Sequence, residues 1–316
     1  MPRKNKTRSS KKSARLLHPA SLDKDTLQQL YANMLRCRMF VEKLQELHVQ
    51  CTSEPARVEA GHEAITAGML AGRRRDDRIA SGSQSLAARL ICGEPVKAIV
   101  ADVMGTQRVR PSKKTEQALR ALVPASLTPA AQINLALGAA WAFKSHGNQQ
   151  VAINFCSEEM VSSHEFRDAV NFSIQQKLSV VHVVEISPES HVSRSHSPLP
   201  MFTIDGDDAI AVYRVGQEAV RRARQGRGPA LIECFVSRRA LAVLRAATTH
   251  GAPPEIDPVS RMEDYLRRKG FWSDRWKRSL VANFVRELTR AVESAEKSRL
   301  RVVSSDSKAS ALAITG

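Results

Sequence analysis

The chain has 316 residues, 42% of them apolar and 5% aromatic, with a formal net charge of +16. That is enough for one large domain or two smaller ones, with a core mainly of Leu, Ile, Val and Ala. No apolar run approaches the ~20 residues of a membrane span, and the N-terminus lacks the apolar segment of a secretory signal.

Residues 1–20 read as a basic tail. Arg3, Lys4, Lys6, Arg8, Lys11, Lys12 and Arg15 precede the first acid, Asp23. The stretch has no apolar periodicity, which predicts a solvated, disordered arm. An Arg/Lys/Ser-rich start also resembles an organellar transit peptide, but Met1–Ala14 makes no amphipathic helix. Taking those seven cations from +16 leaves +9 on the rest. A basic surface favours acidic partners or phosphates. Nucleic acid is not expected as a partner, because no stacking aromatics or known motif accompany the charges.

An N-cap at Ser21 to Lys24 opens a long helix, with Leu27, Leu30, Tyr31, Met34 and Leu35 at three- and four-residue steps. Thr52-Ser53-Glu54-Pro55 breaks it. Further helices are expected over Gly61–Ala71, Ser83–Cys92 and Val96–Met104. Arg73 to Asp77 is a charged turn, and Gln107 to Pro124 a loop with one helical turn. Pro129 to Lys144 is an Ala-rich helix.

Strand, turn, helix and strand then follow within about 35 residues, the pattern of a βαβ unit. Val151 to Cys156 is the first apolar run, and Ser157 to Ser163 a polar turn. A helix covers Glu165 to Ile174, and Leu178 to Val184 is the second run. Unbroken apolar strands joined by a helix predict a parallel sheet covered on both faces. Ligands of such sheets sit beyond the strands' carboxyl ends. Here those ends are Ser157-Glu158-Glu159 and Ile186-Ser187-Pro188.

Phe202 to Ile204 is a short strand, Asp207 to Arg224 an amphipathic helix and Ala230 to Val236 another strand. Ala246 to Ile256 reads as a loop. Met262–Lys269 and Trp276–Lys297 are helices, and residues 298–316 a disordered tail. The fold class is α/β: a doubly wound, mostly parallel sheet with helical N- and C-terminal additions, forming one domain over residues 21–297.

Several side chains invite functional readings. His164 and His182 could act as ligands or bases, although a lone His beside a strand is more often structural. His191 and His196 lie in a polar Ser/His loop. Cys156 stands at a strand end without a partner in sequence. Arg238-Arg239 could meet an acidic group. The five cysteines are scattered without a Cys-x-x-Cys pair, as reduced thiols of a cytoplasmic protein would be.

Four segments carry a family resemblance. Ile204-Asp205-Gly206-Asp207-Asp208 leads through Gly228-Pro229-Ala230-Leu231-Ile232-Glu233. Gly61-His62-Glu63-Ala64 opens a helix. Ala131-Gln132-Ile133 is followed by Gly138-Ala139-Ala140. Asp257-Pro258 precedes Gly270-Phe271-Trp272. Together they resemble the alpha subunit of the thiamine-diphosphate-dependent dehydrogenase component of 2-oxo acid (pyruvate, acetoin or branched-chain) dehydrogenase complexes. The likeness covers roughly Leu22 to Lys297 and implies the thiamine-diphosphate-binding fold.

It further implies oxidative decarboxylation of a 2-oxo acid with acyl transfer to a lipoyl group. The implied cofactors are thiamine diphosphate and Mg²⁺. The implied partner is the beta subunit of the same component, in a heterotetramer, with a homodimer as the other assembly. The family's Gly-Asp-Gly metal turn aligns with Ser157-Glu158-Glu159, and its Glu-Asn-Asn with Glu185-Ile186-Ser187. Its diphosphate-binding Tyr-Arg aligns with Ser83-Gln84. The positions so implied for the cofactor are Ser83, Gln84, Glu158, Glu159 and Ser187, with Glu158 and Ser187 at the metal. The family's active-site His aligns within Arg238 to Ala242, where no His stands, so no catalytic residue is assigned. A glutamate on a longer arm, a serine for an amide and a second carboxylate for a glycine alter the metal turn. They make a non-catalytic paralogue, acting as subunit partner, regulator or scaffold, the alternative reading.

Overall fold

A computed structural model describes residues 22–51, 62–82, 85–106, 112–113, 116, 119–123, 128–187, 199–236 and 257–314. The basic tail, the Ser/His loop, Arg238-Arg239, the 246–256 segment and the Ser83-Gln84 positions lie outside the described residues.

The chain is built on five parallel strands: β1 (Arg78–Ala80), β2 (Ala152–Cys156), β3 (Val180–Ile186), β4 (Met201–Asp205) and β5 (Ala230–Phe235). Their spatial order is β1-β2-β3-β5-β4. Val184 lies opposite Cys156 on one side and Glu233 on the other. The central strands are buried along nearly their whole length, as continuous apolar runs require when both faces are covered.

Ten helices are described: α1 (Lys24–Cys51), α2 (Glu63–Leu70), α3 (Ser85–Ile91), α4 (Val96–Val103), α5 (Pro129–Ser145), α6 (Glu158–Val161), α7 (His164–Gln175), α8 (Ala209–Arg224), α9 (Pro258–Arg268) and α10 (Asp274–Ile314). One sheet face packs Ile153, Phe155, Val183 and Ile232 against Ile65 and Met69 of α2 and Val212 of α8. The other packs Ala152, Val180 and Val184 against Ile133 and Leu137 of α5 and Phe166 of α7. The β2–α7–β3 crossover thus uses one face and β4–α8–β5 the opposite one. Winding reverses after β3, so the carboxyl end of β3, flanked by β2 and β5, borders the topological switch point.

Two satellite cores surround this domain. Phe40 and Leu44 of α1 meet Ile99 of α4 and Phe284 and Leu288 of α10. Tyr31 of α1 packs edge-on to Trp272 at 5.3 Å. Helices α2 and α8 cross closely because Gly68 has no side chain: a Cβ there would stand 2.7 Å from Val212 Cγ1.

The doubly wound class holds, and every pairing is parallel. Three expectations change. Arg78–Ala80 is a strand that three residues were too few to announce. The polar turn after β2 contains the four-residue helix α6. The C-terminal helix does not stop at Lys297 but continues to Ile314, through a run rich in helix formers such as Ala, Leu, Lys and Arg.

Candidate functional site at the sheet switch point

The site forms where β2 and β3 end side by side. Ser157 leaves β2 in an extended conformation and caps α6 by position, without a side-chain cap bond. Glu158 and Glu159 fill the first turn of α6, where negative charge complements the helix dipole. Ser187 follows the last residue of β3.

These neighbours touch. Ser187 donates its backbone N–H to Glu158 Oε2 at 3.0 Å and its hydroxyl to the same oxygen at 3.1 Å. Both residues are partly buried, whereas Glu159 is exposed. Of the positions singled out from sequence, then, Glu158 and Ser187 are brought together and Glu159 stands beside them in solvent.

A second pair lies at the same strand end. Side chains alternate along β3, so Glu185 turns away from Val184 toward α2. Its Oε2 lies 2.7 Å from Nδ1 of His62, and both residues are buried. His62 is the N-cap residue of α2. The next residue, Glu63, is ion-paired with Arg38 of α1, which also reaches Asp257 at 2.7 Å. Asp257 caps α9 through the Ser260 N–H at 2.9 Å. One chain of charges therefore ties α1, α2 and α9 together beside β3.

The β4 end is fixed similarly. Gly206 accepts a close approach: a Cβ there would sit 2.9 Å from the Phe235 carbonyl oxygen. Asp208 caps α8 by accepting the Ile210 and Ala211 N–H groups, both at 3.0 Å. Arg261 of α9 spans Asp205 and Asp208 at 2.5 and 2.9 Å.

Of the other candidates among the described residues, His182 and Cys156 are buried in the core. His182 is fully buried, its Nδ1 3.2 Å from Asn154 Nδ2 and its ring edge-on to Phe166. Burial lowers its pKa from 6.5 to about 4, so it is neutral at physiological pH. Burial, then the charge of Glu185, pushes the Cys156 thiol well above its usual range, which removes it as a thiolate nucleophile. His164 is exposed at the start of α7.

The His62–Glu185 pair was not assigned from sequence, since its members stand 123 residues apart. Its one visible signal is the histidine of Gly61-His62-Glu63-Ala64, where the resembling family has glutamine.

Residues 31–186 and 195–303 match the family model described as the dehydrogenase E1 component. The chain belongs to the dehydrogenase E1 component family. It is 29% identical over 272 residues to the alpha subunit of acetoin:2,6-dichlorophenolindophenol oxidoreductase of Cupriavidus necator, covering 79% of this chain and 81% of that one. It is 25% identical over 297 residues to the pyruvate dehydrogenase E1 component subunit alpha of Acholeplasma laidlawii, covering 87% and 85%. A third relative, the acetoin:2,6-dichlorophenolindophenol oxidoreductase alpha subunit of Bacillus subtilis, is 26% identical over 238 residues, covering 69% and 72%. The chain is a divergent alpha-subunit-type member of this thiamine-diphosphate-dependent family.

The residues at the switch point do not fit a magnesium diphosphate of the usual kind. Mg²⁺ takes near-octahedral oxygen ligands at about 2.0–2.1 Å. The E1 chain offers there the Glu158 carboxylate, whose Oε2 already accepts two hydrogen bonds, the Ser187 hydroxyl, and Glu159 turned to solvent. Among the described residues no group of three or more His, Cys, Asp or Glu could hold a metal.

Proposed function

We propose that this E1 chain serves as the alpha-type subunit of a 2-oxo acid dehydrogenase component and assembles with a beta-type subunit. The reaction class of such a component is oxidative decarboxylation of a 2-oxo acid, with acyl transfer to a lipoyl group. The observation that carries this reading is the family match over residues 31–186 and 195–303, on an all-parallel sheet whose winding reverses after β3. The named alpha subunits among its relatives support the choice of subunit. None of the described helices is long and apolar enough to cross a membrane; a cytoplasmic location is part of the proposal.

This chain's own contribution is architectural. The Arg38–Glu63 and Arg38–Asp257 pairs and the Arg261 bridge lock the helical layers around the carboxyl ends of the strands. The Glu158–Ser187 contact favours a second reading, a non-catalytic member that acts as a subunit partner or scaffold, because it uses internally the groups that would meet the metal.

Co-expression with a beta-type E1 subunit from the same genome tests the assembly. The expected result is co-elution as a hetero-oligomer, with a heterotetramer as the mass to look for. Elution of the chain alone, with the beta-type subunit folded, would overturn it.

A further inference from the structure

Resting on the alpha-type reading, we propose that Glu158 and Ser187 form an internal clasp that takes the place of a magnesium–diphosphate site, so that this chain holds its switch point together without metal or cofactor. The clasp has two donors and one acceptor. The Ser187 N–H and hydroxyl, at 3.0 and 3.1 Å, converge on Glu158 Oε2. The N–H direction is set by the backbone where β3 ends, so it cannot turn aside for a cation. Glu158 Oε2 accepts both hydrogen bonds, so its two lone pairs are taken and it can meet a cation only if the clasp opens. A neutral donor pair on an ionised carboxylate is a charge-assisted arrangement, and it ties the start of α6 to the end of β3 across two adjacent strands.

Three further features agree. Glu159, exposed in the first turn of α6, adds a second negative charge that repels an anionic diphosphate. The two carboxylates already complement the α6 dipole, so this short helix has no unmet positive end to offer a phosphate. Two residues before Ser187, Glu185 is engaged by His62 at 2.7 Å. The switch point is thus built from side chains that satisfy one another.

Thermal unfolding of the full chain in EDTA, alone and in complex with a beta-type subunit, tests the clasp. Ser187→Ala is expected to lower the melting temperature by roughly 2 °C, and Ser187→Thr, which keeps the hydroxyl, to restore most of it. Millimolar Mg²⁺ with thiamine diphosphate is expected to leave the wild-type melting temperature unchanged in both forms. The proposal is overturned if Ser187→Ala is neutral in EDTA. It is equally overturned if Mg²⁺ and thiamine diphosphate raise the wild-type melting temperature in either form. Melting of the chain alone reads the clasp even where no beta-type complex forms, so failure of the subunit reading is separately visible.

Discussion

His62 Nδ1 lies 2.7 Å from Glu185 Oε2, and this buried contact joins the N-terminus of α2 to the end of β3. Removing one partner of a buried hydrogen bond costs more than the bond's net worth, because the remaining group stays buried with a partner lost. His62→Ala is expected to destabilise the fold by about 2 kcal/mol. His62→Gln, which keeps a donor on a similar arm, should lose less. Urea unfolding of the two variants measures the order; equal losses would mean that the space filled by the ring matters and the hydrogen bond does not.

The amino ends of the strands depend on a different buried acid. Asp77 is fully buried and accepts Arg224 Nη1 at 3.0 Å and Nη2 at 2.9 Å. It also accepts the Val151 N–H at 2.9 Å and the Arg74 N–H at 2.8 Å. Arg224→Ala strips the bidentate cation from this carboxylate and is expected to cost about 3–5 kcal/mol. Arg224→Lys should recover only part, since one ammonium cannot reproduce the planar fork. Chemical denaturation at neutral pH measures both.

His182 gives the fold an acid sensitivity of known sign. Its folded pKa of about 4 lies below the ordinary 6.5, because burial disfavours the charged ring. Between these values the unfolded chain takes up a proton that the folded chain excludes. Stability is therefore fully present above pH 6.5 and falls as pH drops toward 4. The shift corresponds to about 3 kcal/mol at most. His182→Leu removes the titrating group, so its stability profile should be flatter than that of the wild type over this range. Parallel profiles would show that His182 does not titrate as described.

Much of the fold was legible in the sequence where periodicity was long or apolar runs were unbroken. Val151 to Ser187 showed its βαβ unit because two strands and an amphipathic helix fall within one local stretch. The α8 helix showed itself by its face of Ile210, Val212, Val215 and Ala219. What escaped was short or distant. Three residues of β1 carry no period, and its pairing with β2 bridges more than seventy positions. The four-residue α6 hides among polar residues that equally suit a turn. The βαβ pattern already set the turns holding Glu158 and Ser187 at neighbouring strand ends, and the family resemblance singled out the two residues, but their direct bond required the coordinates. His62–Glu185 and Arg224–Asp77 join residues more than a hundred positions apart, and no local pattern encodes such pairs.

This E1 alpha-type chain keeps its family's architecture, and the clasp proposed for Glu158 and Ser187 leaves no place there for a metal diphosphate. Isothermal titration of the chain, assembled with a beta-type subunit, by thiamine diphosphate in excess Mg²⁺ measures this. No saturable heat tighter than about 1 mM is expected. Stoichiometric binding in the micromolar range, lost on removing Mg²⁺, would contradict it.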